Sequence, residues 1–106
     1  MAYEVEAAEL KKALDAGEGI VVVDVREAWE HALGRLPNAV HIPVRDLVAR
    51  LAELDPEKPY VLYCHHGMRS LNAVVALAER GFRRVRSLRG GIDRWSAEID
   101  PSVPRY

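Results

Sequence analysis

The sequence holds one cysteine, three lysines, two asparagines and no glutamine. A lone cysteine cannot close an internal disulfide, so no disulfide framework supports the fold, and a reducing, cytoplasmic compartment is the expectation. No apolar run approaches the roughly 20 residues that a membrane-spanning helix needs. The opening stretch, Met1 to Glu6, is acidic where a secretory leader would carry basic and apolar regions. Neither sign of charge dominates: 15 basic residues face 16 acidic ones, for a net charge of −1. That balance offers no overall attraction to nucleic acid or to a membrane surface. Internal repeats, low-complexity tracts and flexible linkers are also lacking. The 106 residues fit one small domain, residues 1–106, at the low end of what supports a packed core. The few amides suit a thermophile, although a GC-rich genome gives the same excess of arginine, 12 against three lysines.

What the chain does contain is an alternation of β-type runs and helical patterns. Leu10, Ala13 and Leu14 place an apolar stripe on a helix over about residues 7–16, with Gly17 where a C-terminal cap belongs. The run Ile20 to Val25 is rich in β-branched residues and reads as a strand buried on both faces. A short helix over 27–33 and a brief strand over 39–42 follow. Leu47, Val48, Leu51 and Leu54 mark a further amphipathic helix, ended by Asp55 to Pro59. Tyr60 to Tyr63 is a second buried strand. After a polar loop, Leu71, Val74, Val75 and Ala78 form the stripe of another helix, closed by Gly81. Val85 to Leu88 is a short strand, and Gly90-Gly91 opens a last helix carrying Ile92 and Trp95. Such alternation implies right-handed crossovers and an α/β fold, a mostly parallel sheet with helices on both faces. Ligands gather at the carboxyl ends of strands in such sheets, where Asp24 and Cys64 both fall.

The stretch Cys64-His65-His66-Gly67-Met68-Arg69-Ser70 carries the chemistry. A cysteine between a strand end and a helix start can be ringed by backbone N–H groups, and Gly67 permits the backbone turn this requires. The following helix adds the positive end of its dipole, with Ser70 as a candidate N-cap. These features favour thiolate over thiol, and Arg69 adds a forked cation suited to oxyanions. The plain alternative is an inert core thiol. Two histidines, a glycine and an arginine after a buried strand are poor core fillers, which favours the functional reading. A metal held by Cys64, His65 and His66, with His31 or His41, is not expected: adjacent loop residues point apart, and no paired ligand spacing is present. His65 and His66 are expected at the pocket rim, either able to tune the thiolate, with Met68 at its mouth. Trp29 and Trp95 read as core aromatics.

These residues resemble those of single-domain rhodaneses, sulfurtransferases that carry sulfur as a cysteine persulfide. The resemblance spans nearly the whole chain. It rests on Asp24-Val25-Arg26-Glu27 with Glu30, Gly34 to Pro43, the loop Cys64 to Ser70, and Gly81-Phe82 with Leu88, Gly90-Gly91 and Trp95. It implies a five-stranded sheet, Cys64 as nucleophile, and a loop of His65, His66, Gly67, Met68, Arg69 and Ser70 that holds substrate and persulfide. Thiosulfate or a similar sulfane donor would load Cys64, and cyanide, a thiol or a partner protein would discharge it, without metal, nucleotide or flavin. Arg35 stands where the family usually has His, and Asn38 where Gly is usual; Asn tolerates left-handed backbone, so the turn survives. Asp24, Arg26 and Glu30 could contact substrate, but a carboxylate–guanidinium network bracing the loop is the stronger expectation, with Asp24–Arg69 as the first pair to examine. Two rival functions remain: a non-catalytic sulfur carrier or interaction module, and a cysteine phosphatase. The phosphatases resembling this fold carry a loop one residue longer than Cys64 to Arg69.

Overall fold

The computed structural model describes residues 3–106; Met1 and Ala2, part of the acidic opening stretch and of the expected domain, lie outside the described residues. Five strands form one sheet: β1 (Glu4–Val5), β2 (Val21–Asp24), β3 (Val40–His41), β4 (Tyr60–Tyr63) and β5 (Val85–Leu88). Their spatial order is β1-β5-β4-β2-β3, and every pairing is parallel. The helices are α1 (Ala7–Asp15), α2 (Ala28–Leu33), α3 (Met68–Glu79) and α4 (Gly91–Glu98).

The β-branched runs behave as a doubly covered sheet requires. Along β4, Tyr60, Leu62 and Cys64 join one apolar cluster, with Ala73, Val74 and Leu77 of α3. Val61 and Tyr63 join the other, with Leu10 of α1 and Ile92 and Trp95 of α4. From β2 the chain crosses to β3 on one side, while β4 pairs on the other. The carboxyl ends of β2 and β4 therefore flank the switch in strand direction of winding, the usual place for a ligand crevice.

Local expectations fail at four places. The helix expected from Leu47, Val48, Leu51 and Leu54 is instead two 3₁₀ turns, Val44–Asp46 and Leu51–Glu53. Of the expected stripe only Leu47 is fully buried while Val48 is exposed, so little apolar packing is available to support a longer helix. On α3 the buried face is Ser70, Ala73, Val74 and Leu77, and Val75 of the expected stripe faces outward. Small residues let this helix approach the sheet closely, and that rotation carries Ser70 beneath the cysteine. Trp95 is buried, but Trp29 is 62% exposed rather than a core aromatic. Strand β1 escapes sequence reading because two residues show no periodicity. Gly17 (φ 69°) closes α1 as expected, and Asn38 adopts a left-handed φ of 56°.

Candidate active site

Cys64 follows β4 directly and is 1% exposed. The chain then turns through Gly67, whose φ of 107° is barred to most side chains, and enters α3. This turn aims two backbone donors at the sulfur: Gly67 N–H at 3.1 Å and Ser70 N–H at 3.4 Å. Ser70 is not the N-cap; Gly67 holds that position without a side-chain cap. The Ser70 hydroxyl instead lies 3.4 Å from Sγ and 2.7 Å from the Ser87 hydroxyl of β5, and within reach of the Gly67 carbonyl. Two N–H groups and a hydroxyl therefore face the sulfur at the N-terminus of a 12-residue helix.

Around this seat the charges pair differently from expectation. Arg69 does not meet Asp24. Its fork grips both oxygens of Glu30 at 3.1 Å, leaving the Arg69 side chain 39% exposed beside the loop. Asp24 pairs with Arg26, Nε to Oδ1 at 2.9 Å and Nη2 to Oδ2 at 2.8 Å, with both side chains fully buried. The loop after β2 explains the exchange, because Arg26 N–H also binds Asp24 Oδ1 and folds the guanidinium back over its own carboxylate. Tyr63 O–H and His31 Nδ1 complete the shell of Asp24. Burial pushes the Asp24 carboxyl up, but hydrogen bonds from Arg26 and His31 outweigh it and hold the group below its ordinary value. Burial likewise opposes ionisation of Glu30, and Arg69, Tyr106 and the Glu27 N–H overcome it, bringing the carboxyl down to about 2. Glu30 thus braces the loop directly through Arg69, whereas Asp24 and Arg26 act from beneath.

Of the two loop histidines, His65 is half-buried and sandwiched, its ring centroid 3.9 Å from that of His66 and 3.8 Å from that of Tyr106. Burial, aided by the neighbouring His66, pushes the His65 imidazole down and favours its neutral form. His66 is exposed and Met68, at the loop mouth, is 70% exposed. His31 and His41 stack on each other instead of joining the loop, and bind Asp24 and the Arg26 carbonyl. Among the described residues, one set of three potential metal ligands converges: His65, His66 and Asp93, with donor atoms within 4.8 Å of one another. Cys64 is not in that set. Both Asp93 oxygens are already engaged by Arg105.

Three contributors were missed from sequence. Tyr63 was visible only as a strand residue, and Tyr106 left no local signal at all. Gly91 was legible only as part of the Gly90-Gly91 helix opening, yet α4 starts by donating Ile92 N–H to the Cys64 carbonyl and Asp93 N–H to that of His65. A Cβ on Gly91 would lie 2.5 Å from the Cys64 carbonyl oxygen and 2.6 Å from the His65 carbonyl carbon, at a φ of 63°. Gly91→Ala is therefore expected to destabilise the fold by about 2–4 kcal/mol, combining backbone strain with forced displacement of the loop. Urea unfolding measures this, and an unchanged midpoint would show that the loop carbonyls yield freely.

A strand-end cysteine within such a loop, at the switch point of an all-parallel sheet, defines a class. The rhodanese-like domain family model matches residues 6–98, and the chain belongs to that family. It is 41% identical over 98 residues to the putative sulfurtransferase YtwF of Bacillus subtilis, covering 92% of this chain and 94% of that one. It is 38% identical over 92 residues to the thiosulfate sulfurtransferase GlpE of Coxiella burnetii, covering 87% of this chain and 82% of its relative. Among solved structures, a rhodanese-related protein from Thermoplasma volcanium superposes with a TM-score of 0.83 at 32% identity, covering 91% and 92% of the two chains. A human single-domain sulfurtransferase, TSTD1, superposes with a TM-score of 0.81 at 28% identity, covering 92% and 98%.

Proposed function

We propose that the chain is a thiosulfate sulfurtransferase that carries sulfane sulfur as a persulfide on Cys64. The observation that carries this reading is the convergence of the Gly67 and Ser70 N–H groups on a buried Sγ. In the first half-reaction the Cys64 thiolate attacks the outer sulfur of thiosulfate. A new S–S bond forms, the S–S bond of thiosulfate breaks, and its electron pair leaves with sulfite. In the second, a nucleophile such as cyanide attacks the outer sulfur of the persulfide and Cys64 departs as thiolate, so the kinetics are ping-pong. Arg69 faces the anionic donor, His65, His66 and Met68 shape its approach, and Gly67 and Ser70 hold the reacting sulfur. Asp24, Arg26 and Glu30 brace that arrangement. With no second thiol in the chain to resolve the persulfide, its sulfur passes to an external thiol, cyanide or protein acceptor. The reading sets the single domain of residues 1–106 in a reducing cytoplasmic setting and calls for no metal or organic cofactor.

Intact-mass measurement tests it. Thiosulfate treatment is expected to add a single sulfur atom to Cys64, and cyanide to remove it with formation of thiocyanate. Absence of the adduct, or turnover of an aryl phosphate by Cys64 in its place, would overturn the proposal.

A further inference from the structure

The family match ends at residue 98, yet the segment beyond it returns to the active site. Val103 is buried, and its carbonyl accepts the Ser96 hydroxyl at 2.5 Å. Pro104 passes so close to Gly34 that a Cβ there would stand 2.8 Å from the proline ring. Arg105 pairs with Asp93 through two bonds of 3.0 and 3.1 Å. These contacts deliver Tyr106 to the loop. Its ring lies 3.8 Å from that of His65, nearly parallel at 8°, and meets Trp29 edge-on at 5.7 Å. Its hydroxyl donates to Glu30 Oε2 at 2.5 Å and accepts from Arg26 Nη1 at 2.9 Å. Burial, reinforced by Glu30, pushes the Tyr106 phenol up to about 12, so the donated proton stays in place at neutral pH.

We propose that Tyr106 is a positioning residue for donor binding, linking the buried Arg26 layer to the Glu30–Arg69 pair and walling the pocket through His65. The proposal rests on the sulfurtransferase reading of the same site. Glu30 Oε2 divides its charge between Tyr106 O–H and Arg69. Without the tyrosine hydroxyl, the buried carboxylate keeps only the Glu27 N–H beside Arg69 and leans harder on that cation, so less of its field remains for an anionic donor. Loss of the ring also frees His65 on one side. Both changes weaken donor binding and leave the Gly67 and Ser70 donors to sulfur untouched, so the effect falls on KM rather than kcat.

The test uses the full chain and compares wild type with Tyr106→Phe and Tyr106→Ala. The thiosulfate KM is expected to rise about threefold with Phe and about tenfold with Ala, while kcat stays within about twofold. In a Glu30→Gln background, Tyr106→Phe is expected to change KM no further. A second readout needs no sulfur transfer: the rate of Cys64 alkylation by anionic iodoacetate relative to neutral iodoacetamide should fall in both variants. An unchanged KM and alkylation ratio in Tyr106→Phe, or a fall in kcat alone, would overturn the assignment. A wild-type chain inert toward thiosulfate would refute the sulfurtransferase reading, and the alkylation ratio would then decide the role of Tyr106 by itself. Should Tyr106→Ala fail to fold, the phenylalanine variant, which keeps the ring, carries the comparison.

Discussion

Cys64→Ser is expected to abolish sulfur transfer, lowering kcat by at least about a thousandfold, while leaving the fold intact. The serine oxygen would occupy nearly the same seat and could accept the Gly67 N–H that now binds Sγ. Ser70 and Ser87 would still share their hydrogen bond on the far side. Stability should therefore move by no more than about 1 kcal/mol. The hydroxyl is un-ionised at neutral pH and supplies no sulfur nucleophile, so the loading step has no beginning. Steady-state thiocyanate formation beside a urea unfolding curve checks both halves. Residual turnover near that of wild type would mean that Cys64 is not the sulfur-bearing atom.

Arg26→Ala is expected to produce the largest loss of stability, about 3–5 kcal/mol, because it strands a fully buried carboxylate. Asp24 would keep Tyr63 O–H and His31 but lose the Nε and Nη2 donors of its ion pair. The Gly34 carbonyl and the Tyr106 hydroxyl would each lose a donor as well. A domain of this size has about 5–15 kcal/mol to lose, so a substantial unfolded fraction at moderate denaturant follows. Adding Asp24→Asn should restore part of the loss, since the stranded charge is then gone. The measurement is the urea midpoint at constant m-value. If the double variant were no more stable than Arg26→Ala alone, packing rather than charge would account for the effect.

The contrast between these two residues shows what sequence can and cannot specify. Strands β2 and β4 were legible because their β-branched and aromatic runs must be buried on both faces, and Cys64 was legible because polar residues follow it abruptly. The charged residues at the same strand ends were visible, but their pairing was not. Asp24 has Arg26 two residues away and Arg69 across the site, and only the tight turn after β2 decides between them. Ser70 fits an N-cap by type, yet its place under the sulfur depends on how α3 is rotated against the sheet. Tyr106 lies 76 residues from Glu30 along the chain, beyond the reach of any local pattern.

That separation also governs when the site comes into being. Strand β1 at Glu4–Val5 pairs with Ser87 and Leu88 of β5, and Glu30 waits for Tyr106. Contacts of such long sequence separation form late, after most of the loop-closure entropy has been met. On a ribosome, which delivers residues from the N-terminus onward, α2 and its Glu30 emerge long before Tyr106, which binds Glu30 and stacks on His65. The nascent cysteine loop therefore gains its Tyr106 wall, and Glu30 its tyrosine donor, only once residue 106 is free to dock.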